Sequence, residues 1–579
     1  MPGGRVSYTP MWRKLKLVTS RLTRGCGPVL IAMAAFGPAR AAAQNAPGAA
    51  ESVGSGALLP PFIGSDAEDR ARLEQLLGGE SASGYVARSF SSRLRLASAP
   101  LTFVRGVVLP EIDLVINSEI PFSQNDGAMW AGRGLSYLVR GGATITRGRW
   151  RLVVVPELVG STNAGFRDVE EAFYRPLIDT SRYSRYSSPW MQHPFPMDQP
   201  VRFGVGAVAR LDPGQSALWY EGKHAAAGVS TENEWWGPGV HDALILTNNA
   251  GGFPHAFVRT ARPMQTRAGA FEGRWIVGAL TESGFFDFNA DNNMRTLAAA
   301  SAVYRPSWEP ELTLGVSRAV FAASSSGAKA LLRWFDVVQP TTRPNARPWA
   351  DSTFTGGRDQ LTSVFARWVF PSAGSEVYGE LGRAEWPASL RDFLVDPTHT
   401  MGYVIGGQWA RPWRRRGAVW RFQAELTSLE RSTSFRYRPT QSWYTSRAAP
   451  QGYTQRGQVL GASIGPGSSH QWIGIDLVSP TWRVGAFAGR WRLNVDHNTE
   501  IVHYERYPGK GWCEYDVNLY PGIRAGYQGG GIGAVNGELI LGNRMNYLYQ
   551  NEGGCPRNDN MRDVRNATIR LSITPPRPR

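Results

Sequence analysis

The sequence predicts an all-β fold: a transmembrane, outer-membrane antiparallel β-barrel of about 16 to 18 strands, with a short N-terminal periplasmic helix. Three observations predict it. From about Tyr85 onward, apolar and polar residues alternate for almost 500 residues with no obvious domain break. The polar faces carry both charges, as in Arg421, Gln423 and Glu425, which suits a hydrated lumen held by internal ion pairs. Tryptophans fall at or near predicted strand ends (Trp150, Trp275, Trp368, Trp409, Trp420, Trp482), where the interface girdles of a barrel lie.

Taken in order, the chain opens with Arg5, Arg13, Lys14, Lys16, Arg21 and Arg24, an apolar run from Pro28 to Gly37, and small-residue cleavage sites at Ala39–Ala43. This is the pattern of a secretory signal peptide, expected to occupy residues 1–43. The apolar run is too short for a membrane helix. Cys26 precedes the run, which argues against a lipoprotein signal. Removing residues 1–43 takes away seven basic and no acidic side chains and lowers the formal charge from +16 to +9. The remaining excess is scattered apart from Arg411–Arg416, and no nucleic-acid motif accompanies it, so nucleic acid is not an expected partner. Cys513 and Cys555 are left as a candidate disulfide of an exported protein.

Residues 44–84 read as a periplasmic entry segment, rich at first in Ala, Gly, Pro and Ser. Within it, Ser65 and Glu68 have capping-box spacing, and a helix can run to about Leu77 before Gly78-Gly79. Residues 85–579 then read as the barrel with its external loops. Alternation is clear at Val201–Ala209, Glu311–Ser317, Trp420–Thr427 and Ala567–Thr574. A soluble sandwich would show the same alternation; length, lumen-like charge pairing and aromatic ends favour the barrel. At roughly 30 residues per strand with half its connections, the 536 residues after residue 43 give the expected strand number. If the last strand runs inward, residues 550–562 and 498–514 form adjacent external loops, and Gly529–Gly531 is a periplasmic turn. Cys513 and Cys555 then fall at one end of the barrel.

The densest chemistry lies in Gly228–Phe253, with Glu232, Asn233, Glu234, Trp235, Trp236, a Gly-Pro-Gly corner, Asn248 and Asn249. Trp235 and Trp236 must point to opposite faces of a strand, with Glu232 and Glu234 on the side of Trp236. An aromatic plate flanked by carboxylates and carboxamides suits a sugar ring, and a buried, satisfied aromatic corner would use the same residues. Asp126, Trp130 and Arg133 form a second polar-aromatic group. Here an Arg133–Asp126 ion pair in the lumen is favoured over Arg133 contacting an anionic polymer. Two carboxylates also admit a glycoside hydrolase, but their spacing fits either hydrolytic geometry and no second acidic cluster supports it. The eight histidines lack metal-ligand spacing, so no metal or other cofactor is expected.

The strings NDGAMWAGRG (Asn125–Gly134), DPGQSALWY (Asp212–Tyr220), GVSTENEWWGPG (Gly228–Gly239), LILTNNA (Leu244–Ala250), EVYGELGR (Glu376–Arg383) and GYTQRGQVLGASIGPGS (Gly452–Ser468) together resemble the Wzi capsule-assembly family. The resemblance spans roughly residues 105–575. It implies a barrel of about 18 strands, with a non-enzymatic, lectin-like role organising capsular polysaccharide at the cell surface. Outer-membrane lipid and the capsule export machinery are the further partners it implies. Departures are the short helical portion, essentially residues 65–77, and the Cys513/Cys555 pair, which is not part of the family pattern. A diffusion porin and an exported carbohydrate-active enzyme are the alternatives.

Overall fold

A computed structural model describes residues 60–79, 85–93, 103–166, 197–285, 293–339, 358–385, 389–413, 417–438, 440–446, 448–497, 515–529, 533–549 and 563–576. Among them, eighteen antiparallel strands close into a barrel. In chain order they are β1 (Phe103–Asn117), β2 (Gly134–Arg147), β3 (Trp150–Val154 and Glu157–Ser161), β4 (Val208–Asp212 and Ala217–Glu221), β5 (Ala225–Ser230) and β6 (His255–Thr260 and Met264–Gln265). Next come β7 (Gly269–Thr281), β8 (Met294–Pro306), β9 (Leu312–Ser324), β10 (Arg358–Phe370), β11 (Ser375–Arg383) and β12 (Met401–Pro412). The wall is completed by β13 (Val419–Ser428), β14 (Ser469–Val478), β15 (Trp482–Leu493), β16 (Asp516–Gly529), β17 (Gly533–Met545) and β18 (Val564–Thr574). Pairing of β1 with β18, from Ile112 opposite Ile573 to Asn117 opposite Thr568, leaves no open edge.

Strand alternation sorts the side chains. On β9, β10 and β11, Val316, Val364 and Leu381 lie level and are all exposed, whereas Ser317, Ser363 and Arg367 point inward and are buried. The same outward series includes Val229, Ile405, Ile473, Ile523 and Ile569. A continuous exposed apolar belt around a closed barrel is matched by lipid, which makes this a transmembrane barrel. Connections at the end where β1 enters and β18 leaves span two to six residues, and those at the other end 12 to 46. In such barrels the short turns are periplasmic and the long loops external.

The aromatic girdle sits at the short-turn end as outward pairs: Trp150 with Tyr220, Phe271 with Tyr304, Trp368 with Phe370, and Trp409 with Phe422. Trp275 does not belong to it. It lies in the middle of β7 and is covered by a loop. The strand expected over Val201–Ala209 begins only at Val208, because residues 201–207 bend as part of a long loop. The loops holding Cys513 and Cys555 do join strands at one end, but the two cysteines lie outside the described residues, as does the stretch 1–43 expected to be a signal peptide.

The lumen is filled by the chain's own segments. Helix α1 (Asp66–Leu76) starts at Ser65, whose hydroxyl accepts the Glu68 amide at 3.3 Å. It lies inside the short-turn mouth, with Leu73 and Leu76 packed on Val369, Ala410 and Val478. Residues 87–88 pair with Trp235–Trp236, so residues 85–93 belong with the helix and not with the wall. Residues 231–254, 440–446 and 448–468 fold inward from the long-loop end and are almost wholly buried.

Candidate functional site

Charged residues hold these segments to the wall and to one another. Asp69 of α1 receives both Arg421 guanidinium nitrogens, at 2.8 and 2.7 Å, and Arg483 at 2.9 Å. Arg72 spans from Glu376 at 2.7 Å to the Pro238 carbonyl at 2.7 Å, tying α1 to the Gly-Pro-Gly corner. Glu68 meets Arg88 at 2.8 Å and Arg93 at 2.7 Å. Burial alone would raise the Glu68 and Asp69 carboxyls, but these guanidinium groups outweigh it and hold both below the usual carboxylate range. The Glu425 carboxylate accepts the backbone amides of Val240, His241 and Asp242 at 2.7, 3.0 and 2.8 Å, fixing the turn after the corner.

The sequence-predicted residues divide into two groups. Glu232 is sealed from solvent, accepting the Ser91 amide at 2.5 Å and hydroxyl at 2.7 Å, and Ser230 at 3.1 Å. Glu234 pairs with Arg274 and accepts the Trp236 indole at 3.1 Å. Trp236 belongs to the main apolar core, while Trp235 packs the other way, on Ile63 and Ala243. Asn249 donates to the Val459 carbonyl at 2.9 Å. This group locks inserted segments together. Trp130 leans on Phe203, centroids 5.0 Å apart, in the external loops.

The expected Arg133–Asp126 pair is not formed. Asp126 is held by Arg570 at 2.5 Å, while Arg133 reaches the Ser118 carbonyl at 3.0 Å and Glu119 at 3.7 Å. The loop carries Arg133 outward, and the nearest lumenal cation comes from the last strand.

Asp126, Asn233, Trp235 and Asn248 instead line a cavity of about 340 Å³ between the inserted segments and the wall of β13–β18, β1 and β2. That is the size of a small-ligand site. Sequence reasoning missed most of its lining. Trp472, Phe487 and Tyr520 lie along the wall, and each ring rests over a lumen-facing glycine. A Cβ at Gly474, Gly522 or Gly489 would stand 2.3, 2.4 or 2.1 Å from those rings respectively. Trp472 and Phe487 stack at 5.8 Å, and the Arg524 guanidinium lies over both. Around them the cavity takes polar groups from Asp113, Gln124, Asn125, Asn536 and Glu538. Aromatic residues at lumen parity, with glycine as cross-strand neighbour, are the signal that could have found this wall.

His241 and His470 also face the cavity. Burial, with His470 and Arg524 beside it, pushes the His241 imidazole down to about 3, so it stays neutral. Asp242 accepts Ser463 at 2.8 and 2.9 Å and lies 3.5 Å from His470. Among the described residues, no group of three or more His, Cys, Asp or Glu is placed to hold a metal ion.

No family model matches the chain, and no curated protein matches it. Solved structures are similar in outline. One is described as Wzi, an outer-membrane protein involved in group 1 capsule assembly in Escherichia coli and a carbohydrate-binding β-barrel. It is 13% identical, covers 81% of this chain and 85% of that one, and has a TM-score of 0.49. Acinetobacter baumannii OccAB3 is 8% identical over 81% and 98% of the two chains, with a TM-score of 0.36. Pseudomonas aeruginosa OccK11 is 9% identical over 84% and 100%, with a TM-score of 0.35. At these scores the likenesses carry no argument about this chain, whose barrel stands on its own hydrogen-bond register.

Proposed function

We propose that this chain is an outer-membrane, non-enzymatic polysaccharide-binding barrel of the Wzi type, which retains or organises capsular or other extracellular polysaccharide at the cell surface. The observation that carries the reading is the cavity wall of Trp472, Phe487 and Tyr520 set flat over glycines, ringed by carboxylates and carboxamides. Such a surface stacks the apolar face of a sugar and bonds its hydroxyls. Asp126, Asn233, Trp235 and Asn248 join this site. Glu232, Glu234, Trp236 and Asn249 hold the inserted segments, and Trp130 and Arg133 stand among the external loops, where further weak contacts along a polymer add avidity. The filled lumen disfavours the diffusion porin. The hydrolase reading is weakened because Glu232 and Glu234 are both engaged by protein groups and shut off from water. Partners in a capsule export machinery belong to the same proposal.

The test compares a deletion strain complemented with wild type, Trp472→Ala or Glu538→Gln. The expected result is a heat-modifiable outer-membrane band in all three, with polysaccharide shed into the medium by the deletion and, in part, by each variant. Losing one aromatic plate should weaken binding of polysaccharide fragments by about 0.5–1.5 kcal/mol. Unchanged retention in the deletion strain would sink the proposal.

A further inference from the structure

The loop after β9 folds back over the outside of the wall. Its two 3-10 turns, Gly327–Leu332 and Trp334–Val338, press Ala330 and Val337 onto Val277 of β7 and Ala298 of β8, beside Trp275 and Ala300. These wall residues face outward, because their strand neighbours Ile276, Leu297 and Ala299 belong to the lumenal core. The alanines of β8 leave a shallow track for the loop, and the Trp275 indole donates to the Trp334 carbonyl at 3.0 Å.

The underside of the loop also answers charge. Arg318 of β9 points outward and donates to the carbonyls of Val337 and Gln339, at 2.7 and 2.9 Å. Arg358 reaches Asp336 at 3.2 Å. Apart from Lys329, the large side chains left on top are apolar: Leu331, Leu332, Phe335 and Val338 are 58–84% exposed.

The height of this face identifies what covers it. Arg318 is level with Thr362, and Thr362 with Arg383. Two residues nearer the short-turn end, the outward positions are Val316, Val364 and Leu381 of the lipid-facing belt. The loop therefore lies at the outer rim of that belt and continues it. Near the end of β11, the short helix α2 (Leu390–Val395) likewise leaves large apolar side chains exposed, with Leu390, Leu394 and Val395 68–74% exposed and Arg383 over the Phe393 ring at 5.6 Å.

We infer that residues 327–338 and 390–395 form a membrane-contact collar on one side of the barrel, seated where the acyl chains of the outer leaflet meet its head groups. Acyl chains cover Leu331, Leu332, Phe335 and Val338, and the exposed Lys329 and Arg391 lie toward anionic head-group phosphates. A loop standing in water would have no cause to bury its polar contacts beneath and leave its large apolar side chains above.

The test attaches bimane to Leu332→Cys or Leu394→Cys in the full chain, reconstituted in vesicles containing anionic lipid, with the unsubstituted protein as the background for Cys513 and Cys555. Glu119→Cys, at an exposed side chain in the external loop between β1 and β2, is the aqueous reference. Heat-modifiable mobility checks that each variant is folded. Head-group-level nitroxide lipid is expected to quench both collar labels several-fold more than iodide does, with the reverse at Glu119→Cys. Iodide quenching of the collar labels equal to that reference would overturn the inference. Shielding from both quenchers would overturn it too, by assigning the face to a second copy of the chain.

Discussion

At the residue scale, the stretch from Glu232 to Trp236 shows how a carboxylate can be read correctly for chemistry and still serve structure. Glu234 is completely buried, and burial opposes its charge, but Arg274, with His255 beside it, more than compensates and holds the carboxyl below its ordinary range. Glu232 is bonded by hydroxyl and amide donors, and burial outweighs these and the charge of Arg274, leaving its carboxyl raised. Removing the cation strands a charge. Arg274→Ala should destabilise the folded barrel by roughly 3–5 kcal/mol, seen as a lower temperature for conversion of the compact gel band to the unfolded one. Pairing it with Glu234→Gln should restore part of the loss, and equal conversion temperatures for wild type and Arg274→Ala would refute this. The sequence showed the opposite faces of Trp235 and Trp236, because that follows from strand geometry alone. It did not show Arg274 as the partner, 40 residues away, since that depends on which strand borders the inserted segment.

At the element scale, α1 is a single short helix that would be marginal in water by itself. Its position depends on Asp69 and Glu68 meeting arginines. Both carboxyls are depressed in the docked state from ordinary values of 3.8 and 4.5. The docking energy they contribute is therefore full above those values and is lost as pH falls below them toward the docked-state values. Amide exchange of residues 66–76, corrected for intrinsic rates, should lose protection below about pH 4, and Asp69→Asn should show weaker protection already at neutral pH. Protection that is flat from pH 7 to 3 would exclude this linkage. The start of α1 was legible from the Ser65–Glu68 cap. Its place in the short-turn mouth was not, because Arg421 and Arg483 converge there only once β13 and β15 are part of a closed wall.

At the scale of the whole molecule, an apolar exterior and a filled lumen dictate opposite behaviour toward lipid and ions. Purified protein should migrate as a compact band unless heated, and in planar bilayers it should show no steady conductance at neutral pH. A constant open-channel current would contradict the filled lumen. Strand number and orientation were within reach of the sequence, since alternation and chain length set the first and counting back from an inward-running last strand gave the second. The missed aromatic wall was harder to read. Trp472, Phe487 and Tyr520 sit on separate strands, and only the register sets Phe487 and Tyr520 against Gly522 and Gly489 and brings the three rings to one wall.

The sequence by itself determined the two-faced strands and the first turn of α1, because period-two patterning and capping are local properties, and its length, charge pairing and aromatic strand ends favoured a barrel over a sandwich. The tertiary structure alone decided which carboxylates became locks and which side chains line the cavity. It also laid one external loop down on the lipid-facing wall. Each of these depends on residues far apart in sequence becoming level across strands, and barrel closure fixes that register.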